Sequence, residues 1–224
     1  SAPDYKSVFF YAFNSEKEHK TLSQEFRFVS TEDSKIFNGT TDWLLGFYAA
    51  QLKENNNVSE SGADVFWFYP GNEYGYWGPN THQSDYEVRK FAIFGQLNYN
   101  IDDQTSLSTG LRVEKHSSEY THSWEIWYTP GSETFSPDDT MIGGHVELTH
   151  KLDNTKTLYA TISQGYKASG FNSNVDPGSN VPVLFKKETA TNFEAGIKTQ
   201  TNDLKTSLSA FYTYRKDPQF DGYK

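Results

Sequence analysis

The sequence predicts an all-β chain, an antiparallel up-and-down sheet of about nine strands with short turns on one rim and long loops on the other. Segment after segment alternates apolar and polar residues with period two, which gives a strand two unlike faces. After the first hairpin, connections alternate between short and long. Hydrophobic residues make up only 35% of the 224 residues while aromatics reach 17%. That is too aromatic for a disordered chain, and no run approaches the ~18 apolar residues of a membrane-spanning helix.

Tyr5 to Phe13 carries an aromatic run that fits a strand without settled faces. Leu22 to Ser30 is cleaner, with Phe26 and Phe28 on one parity and Glu25 and Arg27 on the other. A turn at Asn38-Gly39 leads into Trp43 to Lys53, apolar on both parities. From about 55 to 84 the composition becomes Asn-, Gly- and aromatic-rich, and this stretch is read as a long loop. Strand character resumes with Phe91, Ile93, Leu97 and Tyr99 opposing Gln96 and Asn98. Beyond a short turn at Ile101 to Gln104, Leu107, Leu111 and Val113 oppose Arg112 and Glu114. A second long loop is expected over about 116 to 139. Ile142, Val146 and Leu148 then oppose His145 and Glu147, and a turn follows at Leu152 to Thr155. Leu158, Ala160 and Ile162 run in, and Phe193, Ala195 and Ile197 run back across a Gly- and Pro-punctuated loop. After Gln200 to Asp203, Leu204, Leu208, Ala210, Tyr212 and Tyr214 form the last apolar face.

Parity alone fits two architectures. A soluble sandwich hides its apolar face, whereas a transmembrane barrel turns that face to lipid and keeps its average hydropathy low. Cysteine is absent, which removes disulfides and thiolate metal sites. A net charge of −9 disfavours nucleic acid, which needs a basic face. The start at Ser1-Ala2-Pro3-Asp4, without an initiator Met or an apolar signal region, reads as a fragment or a processed product.

The string Gln164-Gly165-Tyr166-Lys167-Ala168-Ser169-Gly170-Phe171-Asn172 is followed by Glu188-Thr189-Ala190-Thr191-Asn192-Phe193-Glu194-Ala195-Gly196-Ile197-Lys198. Gln24-Glu25-Phe26-Arg27, Trp43 to Tyr48, Gly110-Leu111-Arg112 and Ala210-Phe211-Tyr212 stand in matching order around them. Together these segments resemble the barrel signature of TonB-dependent outer-membrane receptors, over roughly Gln24 to Gln219. The resemblance implies that residues 1–224 are part of a larger transmembrane β-barrel in the bacterial outer membrane. The plug domain and the closing strands are expected to be absent from this chain. It also implies import of a ferric siderophore or similar small nutrient, contact with outer-membrane lipid, and energy from TonB through the missing plug.

Trp67, Tyr69, Tyr74 and Trp77 in the first long loop, with Tyr120, Trp124, Trp127 and Tyr128 in the second, are candidates for stacking on a planar or ring-bearing ligand. The bland alternative is that they pack their own loops or anchor them at headgroups. Arg112, Glu114, Glu147, Glu194 and Lys198 all oppose the apolar parity and are expected to face the lumen as a structural charge network, since lipid offers a charge no compensation. His82, His116, His122 and His145 match no metal-ligand spacing, so no metal site and no cofactor are expected. No nucleophile elbow, carboxylate pair or phosphate-cradling glycine loop occurs, so the chain is not read as an enzyme. The competing reading is a soluble β-sandwich or barrel that binds carbohydrate through its aromatic loops.

Overall fold

The computed structural model describes residues 8–65, 74–126, 129–172 and 182–219. Its strands are β1 (Val8–Val29), β2 (Thr41–Val65), β3 (Tyr74–Asn100), β4 (Thr105–Ile126), β5 (Thr129–Phe135), β6 (Asp138–Lys151), β7 (Lys156–Lys167), β8 (Gly170–Phe171), β9 (Leu184–Phe185), β10 (Glu188–Gln200) and β11 (Lys205–Lys216). Nine of them form one sheet in the order β1-β2-β3-β4-β6-β7-β10-β11, with β5 paired to β4 beside that path. β8 and β9 pair only with each other. The order is the up-and-down topology the sequence predicts.

Two expectations need correcting. The stretches read as loops at 55 to 84 and 116 to 139 are largely strand, because β2 runs to Val65, β3 starts at Tyr74, and β4 runs to Ile126 and returns as β5. Asn, Ser and Gly are weak strand formers. In an antiparallel ladder, however, each backbone group finds its partner across the strand, and local pairing prevails over propensity. Likewise, Tyr5 to Phe13 and Leu22 to Ser30 are not separate strands, since Val8–Val29 is one strand of 22 residues. β5 brings the sheet back to nine.

The chain divides into two compact units, Ser1–Leu22 with Gln51–Val88 and Ser118–Ser136, and Ser23–Ala50 with Arg89–Ser117 and Pro137–Lys224. In the second unit the usual sense of burial is reversed. Leu111, Val113, Ile142, Val146, Leu148, Ile162, Phe193 and Leu208 are exposed, whereas Glu114, His116 and Glu188 are buried. Leu107 and Ile197 are half-buried on the same parity, and Arg112, Glu147 and Glu194 are half-buried on the other. A large apolar side chain left in water forfeits about 1.5–3 kcal/mol. Eight of them left fully in water would forfeit about 12–24 kcal/mol, as much as or more than the whole stability of a domain, on the order of 10 kcal/mol. A soluble sandwich would not be built this way, and a membrane barrel would.

The apolar stripe has limits. On β3 the series Tyr99, Leu97, Ile93, Phe91 gives way to Arg89, on β4 Leu111 and Val113 give way to Lys115, and on β11 Tyr212 and Tyr214 give way to Lys216. Such stripes match the ~9–11 residues of a tilted strand crossing a bilayer. Below them, four short connections share one rim and are joined in series. Asn100 N–H donates to Thr40 O at 2.9 Å, Lys151 N–H to Gln104 O at 2.8 Å, and Gln200 N–H to Thr155 O at 2.8 Å. Two turns are built alike. Asp102 Oδ1 accepts from the N–H groups of Gln104 and Thr105, and Asp153 Oδ1 accepts from those of Thr155 and Lys156, the Asx-type closure that favours Asp in turns.

Glycine has a specific role within the strands. His145 lies against Gly110, Trp124 against Gly131, Phe185 against Gly170 and Tyr159 against Gly196, each ring close enough that a Cβ on the glycine would collide with it. In all four cases the glycine and the ring are direct cross-strand partners. Phe94 lies as close to Gly46, and Tyr166 to Gly143. Here strand glycine marks a close approach, and the cross-strand ring covers the bare backbone.

A side chain at Gly196 would meet both the Tyr159 ring and Leu208 O, each at 2.7 Å. Gly196→Val should therefore cost about 1–3 kcal/mol through overpacking, read as a lower urea midpoint of the folded receptor in detergent, while Val at the open Gly165 position should cost less.

Candidate functional site

The polar face of the second unit carries its charges in closed groups built around those rings. Tyr159 lies over Gly196, donates its hydroxyl to Glu194 Oε1 at 2.6 Å, and has Lys198 Nζ 4.5 Å from its ring centroid. Glu194, Gly196 and Lys198 thus form one unit around a ring from β7. The glycine makes room, the carboxylate holds the hydroxyl, and the ammonium meets the ring face. A second group forms around Tyr166. Arg112 binds Glu114 Oε2 through Nη2 at 2.6 Å and Nε at 3.1 Å, and Nε also donates to Tyr166 Oη at 3.1 Å. The Arg112 guanidinium lies 5.2 Å from the Tyr48 ring and 5.4 Å from Phe94, and Arg27 stands 5.9 Å from the same Phe94 ring. Glu147 accepts from Thr149 Oγ1 at 3.3 Å. All five sequence-selected charges lie opposite the apolar stripe, and four of them belong to these two groups.

Glu188 closes the base of the long connection between β7 and β10. Only 4% exposed, it accepts from Arg215 Nε at 2.5 Å and from Gln219 N–H at 2.8 Å. The Gln219 side chain donates to Ala168 O at 2.9 Å and Lys186 O at 3.0 Å, bridging both ends of the connection. Ser169 donates through N–H and Oγ to Asp139 Oδ2 at 2.9 and 2.6 Å. The Ser169-Gly170-Phe171 and Glu188-Thr189 parts of the signature are therefore the hinge plates of one connection.

In the other unit, β3 and β4 bring a row of rings together. Tyr86 meets Tyr120 edge-on at 6.5 Å, and Tyr120 and His122 lie nearly parallel at 6.3 Å. His122 reaches His82 at 5.8 Å and Trp124 at 5.2 Å. Burial first, and His82 second, hold His122 below its ordinary 6.5. Nearby on β1 and β2, Glu54 takes Lys17 at 2.9 Å and His19 at 3.3 Å, and Lys17 foremost lowers its pKa. Of the aromatic candidates, Tyr120 and Trp124 are placed in this row. Tyr74 and Trp77 fall within β3, and Trp67, Tyr69, Trp127 and Tyr128 lie outside the described residues. Sequence reasoning singled out Tyr120 with Trp124 but missed the ring contacts of His82, Tyr86 and His122, because a period-two signal is invisible in a stretch read as loop. Among the described residues no group of three or more His, Asp or Glu side chains is placed to hold a metal.

The chain matches the family model for the TonB dependent receptor-like β-barrel over residues 3–224. The chain belongs to the TonB-dependent receptor β-barrel family. It is similar to the pesticin receptor of Yersinia enterocolitica, with 24% identity over 197 residues that cover 88% of this chain and 27% of that protein. The crystal structure of the ferric yersiniabactin uptake receptor FyuA from Yersinia pestis superposes with a TM-score of 0.68 at 21% identity, over 93% of this chain and 30% of that one. The ferric-catecholate import receptor Fiu from E. coli K12 gives a TM-score of 0.50 at 10% identity, over 91% and 41%. This chain thus spans under a third of the pesticin receptor and of FyuA. TonB-dependent receptor barrels are transport receptors of the Gram-negative outer membrane, and that membrane is where this wall belongs.

The Glu188 latch should be visible in acid. Arg215 foremost, then the Gln219 N–H, hold its carboxyl at about 2 against an ordinary 4.5. Because the folded value is the lower one, the latch contributes fully above pH 4.5, and that contribution disappears between 4.5 and 2. The stability difference between the native receptor and Glu188→Gln should close over that interval in detergent unfolding curves, whereas a pH-independent difference would contradict the assignment.

Proposed function

We propose that this chain forms part of the wall and outer mouth of an outer-membrane receptor that imports a ferric siderophore with energy relayed from TonB. The observation that carries this reading is the reversed burial, with apolar side chains outward and a closed charge network on the other face. On this reading Leu111, Ile142 and Phe193 meet lipid, while Arg112, Glu114, Glu147, Glu194 and Lys198 line the lumen. A wall whose charges satisfy one another offers a passing ligand no fixed counter-charge to stick to. The plug domain and the closing strands of the barrel belong to other parts of the parent protein, and TonB acts through that plug. The names of FyuA, a ferric yersiniabactin uptake receptor, and Fiu, a ferric-catecholate import receptor, support a ferric chelate as cargo.

Recognition falls to the unit built from the far ends of β2, β3, β4 and β5. Its row of rings ending in Trp124 suits the planar aryl groups of phenolate and catecholate chelators, which stack without strict orientation. The other aromatic candidates from the sequence, Trp67, Tyr69, Tyr74, Trp77, Trp127 and Tyr128, are proposed as further ligand contacts.

Replacing His122 and Trp124 together with Ala in the full receptor should weaken binding of ferric yersiniabactin or a ferric tris-catecholate about tenfold or more, the loss of ~1.4 kcal/mol from two ring contacts. Equal affinity in correctly inserted protein would remove the ring row from the binding site.

A further inference from the structure

The four short connections carry something that closing a hairpin does not require. Each holds a large apolar side chain well out in the open: Phe37 at 68% exposure, Ile101 and Leu152 at 47%, and Leu204 at 60%. Turns select Gly, Asn, Asp and Ser for conformational reasons, and Asp102, Asp153 and Thr201 already close theirs by hydrogen bonding. The apolar residues are therefore surplus to the turn, yet all four turns have one.

Phe37 is held there against backbone preference. Its φ is 52°, followed by 58° at Asn38 and 81° at Gly39. Asn and Gly accept the left-handed region, but a bulky aromatic residue does so only under constraint. The ring meets Tyr99 edge-on at 6.5 Å, and Tyr99 belongs to the apolar stripe of β3. Ile101 continues the parity of Leu97 and Tyr99, Leu152 that of Val146 and Leu148, and Leu204 that of Leu208. The stripe thus runs past the strand ends into the turns, whose tips, Asp103, Asn154 and Asn202, stay polar.

Resting on the reading that the apolar face meets lipid, we propose that this rim is a membrane anchor. Phe37, Ile101, Leu152 and Leu204 sit at the headgroup–acyl boundary of the leaflet on the short-turn side and set the depth of the wall in the bilayer. The occupant is lipid rather than a protein partner, because the four side chains continue a lipid-facing stripe and the polar tips lie directly beyond them. Amphipathic placement of this kind, aromatic and aliphatic groups beside polar ones, is what an interface favours. On the opposite side the stripe ends in Arg89, Lys115 and Lys216, so the two boundaries are of different kinds.

The chain has no cysteine, so each introduced thiol is unique within it, and any cysteine elsewhere in the receptor is first replaced by Ser. Nitroxide labels at Leu152→Cys and Leu204→Cys, with Asn154→Cys as the turn-tip reference and Ile162→Cys as the mid-stripe reference, would be read in the full receptor reconstituted in phospholipid bilayers. The expected result is that labels at 152 and 204 are relaxed more by oxygen than by a water-soluble nickel complex, as at 162 and opposite to 154. Nickel access at 152 and 204 equal to that at 154, with 162 still favouring oxygen, would overturn the anchor alone. Nickel access at 162 as well would overturn the lipid-facing reading beneath it. Shielding from both reagents in native outer membranes, together with nickel access in lipid alone, would show a protein on the rim and overturn the lipid assignment.

Discussion

Rings laid across glycine are what let the polar face of this sheet be charged and covered at once. A single sheet with lipid on one side has no second layer to bury its polar side chains, so any cover must come from neighbouring side chains lying down. A ring can lie down only where the opposing residue has no Cβ. Gly46, Gly110, Gly143 and Gly196 supply those places, and Phe94, His145, Tyr166 and Tyr159 occupy them. The charged groups then arrange themselves around the rings, with carboxylates at the hydroxyls of Tyr159 and Tyr166, Lys198 against the Tyr159 face, and Arg112 against Phe94 and Tyr48. Remove the glycine and the ring must stand up, which breaks the charge group along with the packing.

This gives the family signature a physical content. In Glu194-Ala195-Gly196-Ile197-Lys198 every second residue serves Tyr159 and the intervening two serve the lipid face. Gly110-Leu111-Arg112-Val113-Glu114 divides its labour the same way, with His145 over the glycine and Tyr166 at the charges. The Gly170 and Glu188 portions do different work, tying down the two ends of one long connection through Gln219, Arg215 and Asp139.

Strand parity was legible in the sequence everywhere except over Tyr5 to Phe13 and Trp43 to Lys53, because period two depends only on neighbours. The opposition of Leu111 and Val113 to Arg112 and Glu114 needed no structure. The extent of the strands was not legible, since composition at 55 to 84 and 116 to 139 argues for loop and only the pairing partner reveals a ladder. With the strands cut short, the shared parity of Tyr120, His122 and Trp124 had no meaning, and the row they make with His82 and Tyr86 went unseen. The glycine–ring pairs were hidden for a related reason. Tyr159 and Gly196 are separated by a long connection whose length does not fix the register, so nothing in either strand announces the other.

On the proposed reading, the strands that run on beyond the apolar stripe change how a ligand is met. A flexible loop must surrender conformational freedom when it closes on a ligand, at roughly 1–2 kcal/mol for each residue ordered. Here much of the ring-bearing surface is held by a β-ladder beforehand, so that entropy is lost when the protein folds rather than when the ligand arrives. Such a mouth selects by a standing shape. On the proposed reading, related chelates would then be sorted mainly by how long they stay, through their dissociation rates, and much less by how fast they enter.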